Sequence, residues 1–419
     1  MNSIFKKLNP SSVFTPRGEF NKSMYVHRIK IENYFKQALM TNMNILVQGN
    51  SGIGKTWLTR SVLEENGYYY KCVNLAQASN CNSIYTCFKT IMCKENWQIR
   101  SKYTELKKAN VKIPVADGGI SHTSEYTNEV DYYLEFLKFM QHRAKDKKQN
   151  RYIIFENFEQ ILENPKLIKE LTNLITLVDD DEVAKFKTKF IIIGATNDIL
   201  KYFSNVTNVN TIDNRLYELP TISFLTYNQT SDLVLRGFKA LRINFLDETT
   251  KNEYLKFIAW VTNGIPQRIH EFCLTLTSKC VDNSYLATES LLQDAKEDWI
   301  ITSLSKNYSS LLKLMNHSGR GIKRNQILYC LGLKETTNFT AKDILSDLKD
   351  EFPTSNKKTK NISSYLNNFC NCNPPLLSFN KDTKEYSFND IKNVLCIRST
   401  LYKNKTSEQV EYHKFDDIA

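Results

Sequence analysis

The stretch Gly49-Asn50-Ser51-Gly52-Ile53-Gly54-Lys55-Thr56 decides the fold of this chain. It fits the pattern G-x-x-x-x-G-K-[ST] of a phosphate-binding loop. Residues 44–48 before the loop are mostly apolar and predict a short buried strand, and residues 57–65 after it predict a helix. In this strand–loop–helix setting, the backbone N–H groups of the loop and of the helix start point at a bound anion. A Gly-rich turn that binds nothing is the alternative, and it needs all these features to coincide by chance.

The loop and the first turn of the helix are therefore predicted to bind a nucleotide. Lys55 would reach the β- and γ-phosphates, and the Thr56 hydroxyl would ligate Mg²⁺. The sequence thus predicts ATP and Mg²⁺ as cofactors. The predicted nucleotide-binding residues are Gly49, Asn50, Ser51, Gly52, Ile53, Gly54, Lys55, Thr56 and Trp57.

Length and composition limit the class of protein. The chain has 419 residues, more than one typical domain holds, so two or three domains are expected. It lacks a long apolar run and a signal-peptide core, so neither a transmembrane helix nor a membrane partner is expected. Its ten cysteines form no C-x-x-C pair, which favours reduced thiols in the cytoplasm. A net charge of +11 permits nucleic-acid binding without requiring it.

A second informative stretch covers residues 151–160. Apolar residues end in the carboxylate of Glu156, which is the pattern of a Walker B strand, where a carboxylate holds Mg²⁺ through water and orients the attacking water. Asn157 takes the position that a catalytic carboxylate normally holds, and an amide cannot remove a proton from water. Glu159 is the alternative base, and slow hydrolysis or switching by binding alone stays open. An ordinary buried strand that ends in a polar turn is the other interpretation.

The remaining patterns of the first half predict an α/β core. Residues 189–195 form another apolar run that ends at Thr196 and Asn197. Continuous apolar strands that alternate with helices predict a parallel sheet covered on both faces. Residues 29–40 have apolar side chains at helical spacing and predict an amphipathic helix ahead of the loop. Residues 94–128 are polar and without a period, which predicts an insertion or a mobile loop.

Three further segments complete a recognisable order. An arginine-containing segment precedes the first helix at residues 24–28, another lies at 211–220, and a G-x-P-x-R motif begins a helix at 264–268. With the loop and the two apolar strands, these segments follow one another in the order of the AAA+ and STAND ATPases. Over residues 20–300 the chain resembles this family, on the branch similar to origin-recognition initiators and to bacterial and archaeal defence or regulatory ATPases.

The resemblance implies roles for three polar residues around the nucleotide. Arg28 would lie in the segment that contacts the adenine, with a plain surface position as the alternative. Thr196 or Asn197 would position the attacking water or the γ-phosphate, as the first sensor residue of the family does. Arg268 would contact the γ-phosphate from the start of a lid helix, as the second sensor does.

The resemblance also implies an arginine finger, for which Arg215 is the candidate. An arginine finger reaches the γ-phosphate of a neighbouring subunit, so a homo-oligomer is expected. A local salt bridge of Arg215 with Asp213 or Glu218 is the alternative. Because no effector domain is recognisable in the sequence, an effector protein would be a separate chain.

Residues from about 301 onward carry no nucleotide motif. They predict several helices followed by a hairpin at residues 376–388, which together make a winged helix-turn-helix. If this domain binds double-stranded DNA, the helix at 361–369 would enter the major groove. In STAND ATPases the same module often packs against protein and holds the off state, which is the alternative here. The predicted phosphate contacts are Lys357, Lys358 and Lys360 before the helix, and Lys381 and Lys384 on the wing.

These patterns predict an α/β fold class: a P-loop parallel sheet with a helical lid (AAA+), followed by a C-terminal winged helix-turn-helix. The predicted domains are an ATPase core at 1–220, a lid at 221–300, a winged-helix domain at 301–402 and a disordered tail at 403–419. The predicted function is an ATP-binding molecular switch with ATPase activity, which couples nucleotide state to self-assembly or to control of a partner. Bacterial defence is suggested by the resemblance alone. An initiator-like DNA-binding ATPase and a degenerate ATPase that serves as a scaffold are the alternatives.

Overall fold

A computed structural model describes ten segments of the chain. They are residues 8–41, 43–98, 131–146, 149–195, 199–203, 212–316, 322–336, 338–356, 362–404 and 406–415. The chain divides into two compact units, one made of His27–Ser223 and the other of Met1–Val26 with Phe224–Ala419. The boundaries between the four predicted domains stay predictions.

The described α-helices are numbered along the chain. They are α1 (Pro10–Val13), α2 (Ile29–Met40), α3 (Lys55–Glu65), α4 (Leu75–Cys81), α5 (Ile84–Lys94), α6 (Tyr132–Arg143), α7 (Pro165–Leu177), α8 (Asp181–Ala184), α9 (Leu200–Phe203), α10 (Tyr227–Leu241), α11 (Glu248–Thr262), α12 (Pro266–Asp282), α13 (Glu289–Trp299), α14 (Ser305–Leu314), α15 (Ile322–Leu333), α16 (Ala341–Glu351), α17 (Pro353–Asn356), α18 (Ser363–Cys370) and α19 (Ile391–Thr400). In the described part of the chain, none of the helices is both long and apolar enough to span a bilayer.

The described strands form four small sheets. They are β1 (Asn44–Gln48), β2 (Tyr69–Asn74), β3 (Arg151–Glu156), β4 (Thr188–Gly194), β5 (Leu216–Glu218), β6 (Asn244–Phe245), β7 (Leu286–Ala287), β8 (Asn338–Phe339), β9 (Leu377–Asn380), β10 (Glu385–Phe388), β11 (Leu401–Lys403) and β12 (Val410–Tyr412). The largest sheet has the order β2-β3-β4-β1-β5 within the described residues.

This largest sheet is the centre of the unit His27–Ser223, and all its neighbouring strands are parallel. β4 lies between β1 and β3, with Val47 opposite Ile193 and Ile154 opposite Ile191. β1 and β4 are buried along their whole length, which is why the middle of each strand is an apolar run in the sequence. The predicted parallel sheet is confirmed, and α2 has the bounds predicted for the first helix.

Aromatic side chains fill one side of this sheet. Phe88 of α5 stacks on Phe136 of α6 with ring centroids 4.6 Å apart, and Phe155 of β3 lies 5.3 Å from Phe190 of β4. All four side chains are fully buried. Because burying aromatic side chains contributes most to core stability, this cluster fixes α5 and α6 against the central strands.

The other unit contains the helices predicted as a lid. A capping box begins α10. The Thr226 side chain accepts a hydrogen bond from the backbone N–H of Gln229, and the Gln229 side chain accepts one from the backbone N–H of Thr226. Proline at the first position of α12 begins the next long helix. The N-terminal segment packs on these helices: Phe14 is buried, and a Cβ on Gly237 of α10 would lie 2.1 Å from Phe14 Cζ. The glycine is therefore required for this close approach.

The C-terminal part of the same unit has the elements of a winged helix. Along the chain, α15 is followed by β8, then by α16 and α18, and finally by β9 and β10. The three strands form an antiparallel sheet of order β8-β10-β9. β9 and β10 form the predicted hairpin, with Phe379 opposite Tyr386. Tyr386 is buried and its hydroxyl donates to Asn367 Oδ1 of α18 at 2.9 Å, which fixes the hairpin to that helix. The predicted fold class is confirmed.

The prediction of a disordered tail after residue 402 is wrong for the described part of that tail. β12 pairs antiparallel with β11, with Leu401 opposite Tyr412. Phe415 is buried, and its ring lies 5.1 Å from the ring of Tyr308 in α14. The segment after residue 402 is rich in charged residues, and this composition is the reason that disorder was predicted. Burial of its few apolar side chains outweighs that tendency because each contributes about 2 kcal/mol.

Candidate nucleotide-binding site

The phosphate-binding loop lies where β1 ends and α3 begins. Gly54 has a left-handed backbone with φ +83° and is the residue immediately before α3. The ammonium group of Lys55 is buried and donates hydrogen bonds to the carbonyl oxygens of Gly49 and Asn50, both at 2.8 Å. The loop therefore wraps around the Lys55 side chain, which places a cation inside a ring of backbone groups. This is the arrangement that a phosphate-binding loop requires.

The environment of Lys55 lowers the pKa of its ammonium group. Burial lowers the pKa of the Lys55 ammonium to about 8, and the carboxylate of Glu159 acts in the opposite direction. A buried cation without a bound anion pays a desolvation cost, and an anionic ligand would remove it. The loop thus fits the negatively charged phosphates of a nucleotide.

The side chains near the loop also fit Mg²⁺. Thr56, the second residue of α3, carries a hydroxyl, and Glu156, the last residue of β3, carries a carboxylate. Both offer oxygen atoms, which are the ligands that Mg²⁺ prefers, and Mg²⁺ usually completes its shell with water and substrate phosphates. Thr56 and Glu156 are the residues that would hold the ion.

Glu156 is engaged by an arginine that the sequence analysis did not single out. Nη2 of Arg60, in α3, lies 3.2 Å from Oε1 and 3.5 Å from Oε2 of Glu156. The same nitrogen lies 3.5 Å from Sγ of Cys72 in β2. The carboxylate of Glu156 is therefore paired with the helix that follows the phosphate-binding loop.

Asn157 has a separate partner. Its backbone is left-handed, with φ +61°, which asparagine tolerates better than most residues. Its side-chain Nδ2 donates to Oδ1 of Asn74, at the end of β2, at 2.9 Å. Two neighbouring residues at the end of β3 are thus held by different elements, Glu156 by α3 and Asn157 by β2.

Glu159 lies in a short 3-10 helix directly after β3. Its Oε2 accepts a hydrogen bond from the backbone N–H of Ala195, immediately after β4, at 3.0 Å. Its carboxylate also acts electrostatically on Lys55, which raises the pKa of that ammonium. This position suits the alternative base proposed from the sequence.

Arg28 is buried, so the surface position considered from the sequence does not apply. Its Nη2 donates to the carbonyl oxygen of Ile53 in the phosphate-binding loop at 2.5 Å, and Nη1 donates to that of Ser223 at 3.4 Å. Its backbone N–H donates to Oε1 of Glu32 at 2.7 Å. Arg28 therefore connects the start of α2 with the loop, while its contact with adenine stays a prediction.

The two other candidate arginines are both paired with carboxylates. Nε of Arg215 lies 2.6 Å from Oδ2 of Asp179, which is neither of the two partners considered from the sequence. Nη1 of Arg268 lies 2.6 Å from Oε2 of Glu271 on the next turn of α12. Arg268 belongs to the unit that begins again at Phe224, whereas the loop belongs to the other unit. Their roles as arginine finger and second sensor stay predictions.

Several predicted residues lie outside the described residues. Asn197 is one of them, as are most of the predicted insertion and the lysines Lys357, Lys358 and Lys360. Lys381 and Lys384 are described, and both are exposed in the turn between β9 and β10. The wing thus carries two accessible cations.

Arg60 and Asn74 are the two polar residues of this site that sequence reasoning missed. Arg60 lies 96 residues before Glu156, and Asn74 lies 83 residues before Asn157. The only signal for Asn74 is that it ends a strand, because the carboxyl ends of parallel strands share one edge of the sheet. The signal for Arg60 is that it lies in the same helix as Lys55, five residues after it.

The five-stranded parallel sheet and the loop between β1 and α3 define a P-loop nucleotide-binding fold, which agrees with the fold that the resemblance to the AAA+ class implies. No protein-family model matches the sequence, and no curated protein matches it either. At low sequence identity, similarity to solved structures concerns the fold and does not assign an activity.

Three solved structures illustrate the similarity. The Walker-type ATPase PABY2304 of Pyrococcus abyssi is 15% identical, with 92% of this chain and 99% of that chain covered and a TM-score of 0.48. Cdc6p of Pyrobaculum aerophilum is 15% identical, with 93% and 97% covered and a TM-score of 0.43. The ORC1 protein of Aeropyrum pernix, in complex with DNA, is 13% identical, with 93% and 96% covered and a TM-score of 0.46. The fold assignment itself rests on the sheet order and the loop.

Proposed function

We propose that this protein is an ATP-binding molecular switch whose nucleotide state controls self-assembly or a partner protein. The observation that carries the proposal is the Lys55 ammonium, buried within the loop and held by the carbonyl oxygens of Gly49 and Asn50. A buried cation inside a ring of backbone groups has one common use, which is to bind the phosphates of a nucleotide. Mg²⁺, held by Thr56 and Glu156, would neutralise phosphate charge when it is bound.

The residues after β3 favour a switch over a fast enzyme. Asn157 cannot accept a proton from water, so the position next to Glu156 supplies no general base. Glu159 has the required carboxylate and acts electrostatically on Lys55, and we assign it as the base of a slow hydrolysis reaction. Slow hydrolysis gives a long-lived ATP state, which is what a switch needs in order to act on other molecules.

The proposed partners are a second copy of this chain and a separate effector protein. Arg215 is the candidate arginine finger for self-assembly, and it would have to leave Asp179 to reach a neighbouring subunit. That ion pair is partly exposed, so breaking it costs little, on the order of 1 kcal/mol. The place of this switch in bacterial defence rests on the family resemblance alone.

The switch is tested by measuring the assembly and the conformation of the protein in each nucleotide state. Light-scattering mass and limited proteolysis are compared without nucleotide, with ADP and Mg²⁺, and with ATP and Mg²⁺. We expect the mass or the digestion pattern to differ between ATP and ADP, and Lys55→Ala to abolish that difference. An identical mass and pattern in ATP and ADP, at saturating concentrations of both, would contradict the proposal.

A second candidate function is ATP-tuned binding of duplex DNA. The observation that favours it is the exposed pair Lys381 and Lys384 in the wing turn, beside the 42% exposed ring of Phe379 in β9. Lysines on a wing contact phosphates and release counterions, so log affinity would fall linearly with log salt concentration. Replacing both lysines by alanine should reduce that slope by about two, whereas Lys251→Ala in α11 should leave it unchanged. No duplex binding at low salt would exclude this function.

A further inference from the structure

We propose that Arg60 is a positioning residue that holds Glu156 when no metal is bound and competes with the divalent cation for its carboxylate. The inference rests on the proposed function, because it assigns a role at the same nucleotide site. On this account the metal ion must displace the guanidinium of Arg60 from the carboxylate of Glu156, or share that carboxylate with it, before Glu156 can hold the ion. Arg60 thereby raises the concentration of free Mg²⁺ that the site requires.

The contacts of Arg60 point at the site. One nitrogen, Nη2, lies 3.2 Å from one oxygen of Glu156 and 3.5 Å from the other, so a single N–H group of Arg60 is shared between the two carboxylate oxygens. The side chains are only 24% and 16% exposed, which limits screening of the pair by water and salt. Arg60 and the predicted metal ligand Thr56 both belong to α3, one turn apart. The arginine therefore reaches Glu156 from the helix that also presents the Thr56 hydroxyl.

The chemistry of the three groups makes the competition unavoidable. Arginine stays protonated in proteins, so its positive charge is present at every working pH. A divalent cation that uses the same carboxylate meets this fixed charge at short range, and like charges repel more strongly in a partly buried site than in water. Asn157 does not share in the competition, since its amide is bonded to Asn74. The ion pair of Arg60 with Glu156 thus acts on the metal and does not involve Asn157, the residue after β3.

The test uses a nucleotide that the protein cannot hydrolyse further. The affinity for a fluorescent ADP analogue is measured in excess EDTA and at a series of free Mg²⁺ concentrations, for the wild type, Arg60→Gln and Arg60→Lys. We expect the half-saturating Mg²⁺ concentration to fall roughly threefold to tenfold in Arg60→Gln, the size of a partly buried ion pair. Affinity in EDTA should change less than about twofold, and Arg60→Lys should stay close to the wild type because it keeps the charge.

The matched control is Arg143→Gln in the same unit. Nε of Arg143 lies 3.8 Å from Oε2 of Glu95, in an ion pair that does not include Glu156. This variant should leave the Mg²⁺ requirement unchanged. In Glu156→Gln the further change Arg60→Gln should have no effect on that requirement, because the contested carboxylate is absent. If Arg60→Gln does not fold, Arg60→Met takes its place, since it keeps most of the side-chain volume.

Three results would overturn the proposal. An unchanged Mg²⁺ requirement in Arg60→Gln would show that the ion pair only supports the fold, and an increased one would show that Arg60 prepares Glu156 for the metal. Wild-type protein that binds no ADP analogue in EDTA or in Mg²⁺ would overturn the proposed function together with this inference. The binding measurement on the wild type therefore separates failure of the function from failure of the role of Arg60.

Discussion

Arg398 lies with its guanidinium 4.1 Å from the ring centre of Trp260 and donates a hydrogen bond to the carbonyl oxygen of the same residue at 2.7 Å. It also donates to Oδ1 of Asn263 at 2.9 Å and to the carbonyl oxygens of Gly332 and Lys334 at 2.6 Å and 2.9 Å. One buried cation of α19 therefore bonds to the C-terminal ends of both α11 and α15. Cations are favourable there because the last carbonyl oxygens of a helix carry partial negative charge.

Arg398→Met should destabilise this unit strongly. Methionine keeps much of the volume but leaves three backbone carbonyl oxygens and Oδ1 of Asn263 without their donor, in a buried to partly buried site. Hydrogen bonds to a charged group contribute about 1.5–3 kcal/mol each before compensation by water. We expect a loss of about 3–5 kcal/mol in the free energy of unfolding, measured by chemical denaturation. Lys251→Ala removes an ion pair with Glu248 on α11, whose carboxylate is 72% exposed, and should cost less than about 0.5 kcal/mol. Equal losses in the two variants would contradict this account.

Nucleotide affinity should depend on the protonation of Lys55. Since burial lowers the pKa of this ammonium to about 8, it loses its charge within an accessible range of pH. Phosphate binds the charged form, so affinity should be constant below about pH 7 and should weaken above pH 8, by up to about tenfold per pH unit. Calorimetric titration with ADP between pH 6 and 10 measures this dependence. The affinity of Lys55→Arg, which stays charged, should be flat over the same range, and a flat wild-type profile would disprove the prediction.

His270 should make the same unit as Arg398 sensitive to acid. Its Nδ1 accepts a hydrogen bond from the backbone N–H of Thr15 at 3.0 Å, so the folded protein holds the neutral ring. Burial lowers the pKa of His270 to about 4, whereas an unfolded histidine has a pKa near 6.5. Protons therefore bind the unfolded state first, and stability that is complete above pH 6.5 is lost as the pH falls towards 4, by about 3 kcal/mol.

The comparison of the wild type with His270→Gln isolates this contribution. The free energy of unfolding is measured for both proteins between pH 7.5 and 4. The difference between them should shrink as the pH falls, because only the wild type loses the stability due to a neutral histidine. A difference that is independent of pH would mean that His270 does not titrate on unfolding.

Asn157→Asp should accelerate ATP hydrolysis. The change supplies a carboxylate next to Glu156, and aspartate tolerates the left-handed backbone of this position nearly as well as asparagine does. General bases contribute about 10²–10⁴ to rates, and a base in imperfect geometry should still give about a tenfold increase in phosphate release. Glu159→Gln should lower the wild-type rate by a similar factor. An unchanged rate in both variants would contradict the assignment of a slow reaction that depends on Glu159.

The local part of this site could be predicted from the sequence. The loop at 49–56 and the helix Ile29–Met40 are contiguous segments, so their patterns contain all the residues that determine them. β1, β3 and β4 were predictable because buried parallel strands are largely apolar, and each of these strands has a run of at least three apolar residues. The hairpin of β9 and β10 was predictable from apolar residues on both sides of a polar turn.

The partners within the site could not be predicted in the same way. The bond between Arg60 and Glu156 depends on which strand lies beside which, and the sequence does not state that order. Arg215 pairs with Asp179, 36 residues away, rather than with its acidic neighbours in sequence. The β11–β12 pair was missed because each strand has only three residues, too few to show an alternating pattern, and the segment around them is rich in charge. Long-range contacts decide each of these features.

Binding of ADP to the wild type and to Lys55→Ala, by calorimetric titration with Mg²⁺ at pH 7, tests the central claim most directly. The claim is that the loop from Gly49 to Thr56 is a working phosphate site with Lys55 as its cation. The account predicts one ADP per chain for the wild type and a loss of affinity of about a hundredfold or more in Lys55→Ala, whose thermal unfolding should stay close to that of the wild type. Equal ADP affinity in the two proteins, or no binding by a folded wild type, would contradict it.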